Sequence, residues 1–129
     1  MAIARIEVVG SLTPGEKRDR LDAVHDAIVT ALQVPTDDPT VSITEIDAGS
    51  VILPGGVGDR YTIVQITMFA GRSIETKRAL YRGLCTSLTS AGIPLSDIVI
   101  NIVEVPTDNW GVQGGIPASE VDLGFQVDI

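Results

Sequence analysis

The chain says nearly the same thing twice. Thr13-Pro14-Gly15-Glu16-Lys17-Arg18 is echoed 60 residues on by Ser73-Ile74-Glu75-Thr76-Lys77-Arg78, and Asp38 to Ile46 (DPTVSITEI) is echoed 59 residues on by Asp97 to Val105 (DIVINIVEV). Each copy reads as strand, helix, strand, and self-similarity at a fixed period constrains the fold more than any single motif. A βαβ crossover is parallel and right-handed, so each copy supplies two parallel strands with a helix on one face. The expected fold class is α/β (α+β): tandem β-α-β repeats forming a four-stranded sheet with both helices on one face. One domain is expected, with repeat one over about 2–46, a linker over 47–60, repeat two over about 61–105 and a tail over 106–129.

Local signals place the elements. Ala2 to Val9 is short, β-branched and strand-like. Thr13 with Glu16 forms a capping box and Pro14 sits at the first helical position, where its missing N–H costs nothing. The stripe Leu21, Val24, Ile28, Leu32 predicts a helix from about 14 to 33, ended by Val34-Pro35. Val41 to Ile46 reads as the second strand and Tyr61 to Phe69 as the third. Ser73 caps a second helix over about 74–91 with the stripe Leu80, Leu84, Leu88; Gly92 suits a left-handed C-cap, and Pro94 blocks continuation. Ile98 to Val105 is the fourth strand. The linker is glycine-rich and without a period, with a brief strand expected at Val51 to Leu53. In the tail, Val121, Leu123, Phe125, Val127 and Ile129 alternate with mostly polar partners, which predicts a half-buried terminal strand.

Hydrophobic residues make up 44% of the 129 positions and mean hydropathy is +0.29, high for so small a domain. With helices on one face only, the other face is expected to be apolar and bare. Ile98, Ile100 and Ile102 are assigned to it, and it must meet its like across subunits. The tail strand is expected to clasp a neighbour's sheet edge.

Other classes are disfavoured. A net charge of −8 argues against nucleic-acid and anionic-membrane partners, which require a basic footprint. No apolar run is long enough to span a bilayer and no charged-then-apolar leader opens the chain, so a cytoplasmic protein is expected. One cysteine, Cys85, gives neither a disulfide framework nor metal-ligand spacing; among Leu84 and Leu88 it reads as a buried small apolar residue. His25 borders the helical stripe and reads as a packed, hydrogen-bonded residue. Gly55-Gly56-Val57-Gly58 and Gly114-Gly115 lack the context of a phosphate loop.

Four segments carry a resemblance: Leu21-Asp22-Ala23-Val24-His25-Asp26-Ala27, Val34-Pro35-Thr36-Asp37-Asp38, Ala70-Gly71-Arg72-Ser73-Ile74-Glu75-Thr76-Lys77 and Asp108-Asn109-Trp110. Together they resemble the tautomerase superfamily, and within it the malonate semialdehyde decarboxylase group, over almost the whole length. The resemblance implies a homotrimer, an amino-terminal proline as catalytic acid or base, and an aspartate after the first helix. It also implies arginines before the second helix that bind a substrate carboxylate, and a pocket-lining tryptophan near the C-terminus. Asp38 matches the aspartate, Arg72 one arginine and Trp110 the tryptophan. Phe69 and Ala70 occupy the neighbourhood of the second arginine, and Phe69 is taken as a substrate-side residue. Ala2 stands where the proline should be.

Ala2 would present a primary amine if Met1 were removed, with an ordinary pKa of roughly 7.7 to 8.0 that a nearby arginine would lower towards the range of a general base. With Met1 attached, the Ala2 nitrogen is an amide. Met1's own amine is then expected about 3.3 to 3.6 Å further out, which displaces it from the site. Arg72 precedes the Ser73 N-cap, where guanidinium and helix N-terminus both favour an anion. Asp37 and Asp38 on their own residues read as turn formers; the resemblance makes Asp38 a carboxylate that orients water or a carbonyl. The implied function is an enzyme acting on a small oxo or enol carboxylate by tautomerisation, hydration or decarboxylation, weak for want of the proline and needing no metal or organic cofactor. The alternative is a catalytically vestigial, homo-oligomeric binding protein.

Overall fold

The computed structural model describes residues 1–129. β1 (Ala2–Val9), α1 (Pro14–Leu32) and β2 (Thr40–Ile46) make the first unit; β3 (Thr62–Phe69), α2 (Ile74–Ser90) and β4 (Ile98–Val105) make the second. Within each unit the strands are parallel, and β1 pairs antiparallel with β3 at the centre, giving the order β2-β1-β3-β4. The register preserves the duplication: Ala4 lies opposite Val41 as Val64 lies opposite Ile100. Because the central pair is antiparallel, the start of β1 lies beside the end of β3, with Ala2 opposite Met68. That seam brings the chain's first residues to the loop that carries Arg72.

The helix ends follow their sequence signals. Thr13 Oγ1 accepts from the Glu16 N–H at 3.1 Å while Glu16 Oε1 accepts from the Thr13 N–H at 3.0 Å, a complete capping box. After α2, Gly92 takes φ +94°. The Gly92 and Ile93 N–H groups return to the carbonyls of Thr89 (3.0 Å) and Leu88 (3.1 Å), and the Ile93 side chain is buried behind the turn. α1 instead ends on Gln33 at φ +53°, a left-handed conformation without glycine.

Ala2, Ala4, Ile6 and Val8 of β1 and Val64, Ile66 and Met68 of β3 face Val24, Ile28 and Leu32 of α1 and Leu80, Leu84 and Leu88 of α2 in one core. Ile98, Ile100 and Ile102 also pack against this core, which corrects their expected place on the bare face. They share the register positions of the buried Thr62, Val64 and Ile66. β4 is apolar on both sides, so its composition did not distinguish them. The open face carries the alternate set: Ile3, Arg5 and Glu7; Ile63, Gln65 and Thr67; Val99, Asn101 and Val103. It is mixed in polarity, not uniformly apolar.

Two expected strands are absent. Val51 to Leu53 forms none; a short 3-10 turn at Ala48–Ser50 precedes it, and Ile52 is 99% exposed. The tail contains only a two-residue hairpin, β5 (Gly111–Val112) with β6 (Ile116–Pro117), and no strand over 121–129. Val121, Leu123, Phe125 and Val127 nevertheless lean on a second cluster built on Phe69, Val112 and Ala118. The alternation correctly marked which tail residues are half-buried. Burial on alternate residues requires only an extended segment against an apolar surface, and here that surface is the protomer's own. Cys85 is half-buried, not fully enclosed.

Candidate active site

The residues singled out in the sequence meet at one end of the central seam. Pro35 to Asp38 form a tight turn closed by the Asp38 N–H on the Pro35 carbonyl at 3.0 Å. Pro39 confines Asp38 to extended backbone and launches β2. The Asp38 side chain is 10% exposed, and its Oδ2 lies 3.4 Å from the Met1 amine. This is a charge contact, since Oδ2 makes no aligned hydrogen bond.

The amine beside Asp38 therefore belongs to Met1. The expectation that Met1 would carry its nitrogen out of the site is corrected: Ala2 is wholly buried in the core, paired opposite Met68, and Met1 curls its amine to the carboxylate. Burial lowers the amine's pKa below its ordinary 8.0; Asp38 opposes that shift and Arg72 reinforces it. The free-base form is thus favoured more than at an exposed terminus.

Arg72 is set by the turn between β3 and α2. Gly71 takes φ +124°, and a side chain there would also meet Val127 at 3.4 Å, so the turn needs glycine. Arg72 is 5% exposed, donates from Nη1 to the Phe69 carbonyl at 3.2 Å, and leaves Nε and Nη2 without a partner. Desolvation lowers its pKa, opposed by Asp38 and then Glu104. A buried guanidinium with two unused N–H directions and no ion-pair partner is costly unless an anion completes it.

The tail forms the cover. The Ser73 N–H donates to a main-chain oxygen of Ile129 at 2.8 Å, and Val121, Asp122, Leu123 and Phe125, with Val112 and Gln113, enclose a cleft of about 150 Å³ against Met1 and Asp38. Phe69 is fully buried beneath it, edge-on to Trp110 (centroids 4.8 Å, 63°) and stacked on Phe125 (6.4 Å, 22°). Trp110 and Arg72 are not walls of that cleft: Trp110 stands behind Phe69, and Arg72 lies beneath the tail. The tail residues were not singled out as site residues, although their alternation had marked them as half-buried. Larger grooves lie elsewhere, the widest between α1 and α2 at about 620 Å³, and hold none of this chemistry. No three His, Cys, Asp or Glu side chains converge where they could hold a metal, and no helix is long and apolar enough to cross a membrane.

Comparison with known proteins gives this geometry a context. A family model described as tautomerase enzyme matches residues 38–113. The 2-hydroxymuconate tautomerase of Comamonas testosteroni is 38% identical over 58 residues, covering 44% of this chain and 90% of its own, a span the size of one repeat. Among solved structures, FG41 malonate semialdehyde decarboxylase inhibited by 3-bromopropiolate is 32% identical, with a TM-score of 0.71 over 85% of this chain and 88% of its own. A wild-type fused 4-OT symmetric trimer is 27% identical, with a TM-score of 0.82 over 91% and 96%.

Proposed function

This chain belongs to the tautomerase superfamily, and we propose that within it the protein acts on a small oxo or enol carboxylate. The observation that carries the reading is the grouping of an amine with lowered pKa, a carboxylate 3.4 Å away and a buried arginine with two unused donors. Arg72 holds the substrate carboxylate. The amino-terminal amine accepts the enol O–H proton and returns a proton to carbon, so the reaction is a net isomerisation. Asp38 steadies the charged amine between the two transfers, and would orient water or a carbonyl in a hydration or decarboxylation. Phe69 and Trp110 back the pocket with apolar surface. A primary amine replaces the ring nitrogen of a proline, so turnover is weak. Three copies are proposed to assemble with their open sheet faces inward.

Ketonisation of 2-hydroxymuconate tests the reading. A rate above background that falls on Arg72→Ala supports it; a background rate indifferent to that substitution removes it. The competing reading, a binding protein that has lost its chemistry, draws on Ala2 in the proline's place and the single arginine. Ala2→Pro with Met1 cleaved separates the two: a large gain in rate marks an intact pocket short only of its base, and no gain favours binding.

A further inference from the structure

Asp38 is useful only if its turn is held still, and few contacts hold it. Val34 anchors the segment in the core, and β2 takes up its pairing at Thr40 opposite Ile3. Between them, the turn's internal hydrogen bond fixes its shape without fixing its position. One side chain reaches in from another element: His25 of α1, whose Nε2 lies 2.7 Å from the Thr36 carbonyl oxygen. A carbonyl and a carboxylate both only accept, so Nε2 carries a proton for Thr36, and Nδ1 carries a second one whenever the ring also donates to Asp26. Nδ1 lies 3.0 Å from Asp26 Oδ1, which orients the ring. The neighbouring Asp22 is engaged by Arg18 at 3.0 Å, leaving Asp26 as the ring's own carboxylate, and beyond α1 only Pro39 and, from β2, Val41 line the same cleft. The chain Asp26–His25–Thr36 thus ends two residues before Asp38, at a point where the backbone has no other grip.

We propose that His25 is a positioning residue: through the Thr36 carbonyl it fastens the Pro35–Asp38 turn to α1 and so keeps the Asp38 carboxylate against the amino-terminal amine. The proposal rests on the reading of Asp38 and the amine as one site. Asp38 touches the amine; His25 acts on it only through the backbone. Site groups are held to sub-ångström tolerance by supporting contacts of this kind, and loss of one displaces the group without unfolding the protein.

The test is the pH dependence of amino-terminal acylation by acetic anhydride, read by mass spectrometry on the purified, Met1-bearing protein. Asp38→Asn is expected to move the amine's titration to lower pH, because the carboxylate holds the proton on. His25→Ala is expected to move it the same way by a comparable shift, and His25→Gln, whose amide still donates to Thr36, to restore most of the wild-type curve. A packing role alone would alter stability without moving this titration. If Asp38→Asn shifts the curve and His25→Ala does not, the tether is overturned and the site stands. If Asp38→Asn leaves the curve unmoved, the amine–carboxylate pair is refuted and the tether with it. Should His25→Ala fail to fold, Asp26→Asn with His25→Gln decides the point: a shift with the first and none with the second supports the tether, and two unmoved curves overturn it.

Discussion

Asp38 and Asp97 occupy the same position in the two repeats, and only Asp97 is hydrogen-bonded through its carboxylate. Asp97 is 2% exposed and accepts from the Gly58 N–H at 2.6 Å and the Arg60 N–H at 3.2 Å, which fastens the linker to the second unit. Gly58 permits this approach, since a Cβ there would stand 2.9 Å from Asp97 Oδ2. Asp38 has the amine nearby and no aligned donor. One copy has become structural and the other has kept an open coordination.

The pair makes a stability comparison. Asp97→Ala removes two charge-assisted hydrogen bonds and is expected to cost about 2 kcal/mol, with Asp38→Ala costing about half as much or less. Chemical denaturation of the two variants at one protein concentration checks the difference; equal losses would contradict it.

Arg72 is expected to act on substrate more than on folding. Arg72→Ala removes a charged donor pair worth about 1.5 to 3 kcal/mol to a bound carboxylate, a loss on the order of ten- to a hundredfold in kcat/KM. Arg72→Lys keeps the charge without the two-pronged geometry and should recover only part of that. Steady-state kinetics with an enol carboxylate measure both, alongside thermal melts that should change little.

The amine and His25 have opposite pH signatures. The Met1 amine is lowered in the folded state, so the unfolded chain binds more protons between the folded value and 8.0, and stability from this group rises with pH across that window. Activity that needs the free base should begin to rise below pH 8.0. Arg72→Ala should move that limb up and Asp38→Asn down. His25 is raised by its bond to Asp26 and then by the Thr36 carbonyl. Its contribution is full below the ordinary histidine value of 6.5 and is lost as pH rises through the folded value. Melting curves of wild type and His25→Gln across this range isolate the second effect.

Phe125 joins the tail to the sheet, touching both apolar clusters and lining the cleft beside Met1. Being half-buried, it should cost about 2 kcal/mol on replacement by alanine, less than a fully buried phenylalanine. Trp110, edge-on to the Phe69 against which Phe125 stacks, reports the change in its fluorescence during denaturation.

Much of this was legible in the residues themselves. Capping boxes, left-handed glycine caps and helical stripes are local, and a duplicated βαβ unit implies its own sheet, so both helices and all four long strands lie within a residue or two of where the sequence puts them. Asp38, Arg72 and Trp110 were named by their match to the motif, and Phe69 by its place where the second arginine has no match; the structure sets Asp38 beside the Met1 amine, Phe69 edge-on to Trp110, and Arg72 buried in the turn before α2.

What local pattern could not decide was which partner each apolar face would meet. Ile98, Ile100 and Ile102 face inward because register aligns them with Val64 and Ile66, a property of pairing across 30 or more residues. The tail's alternation could serve a strand or an extended cover equally well, and only the proximity of Phe69 and Gly71 made it a cover. The place of the Met1 amine beside Asp38 and the approach of His25 to the Thr36 carbonyl are likewise visible only in three dimensions, because both depend on distances between segments that the order of residues along a chain does not contain.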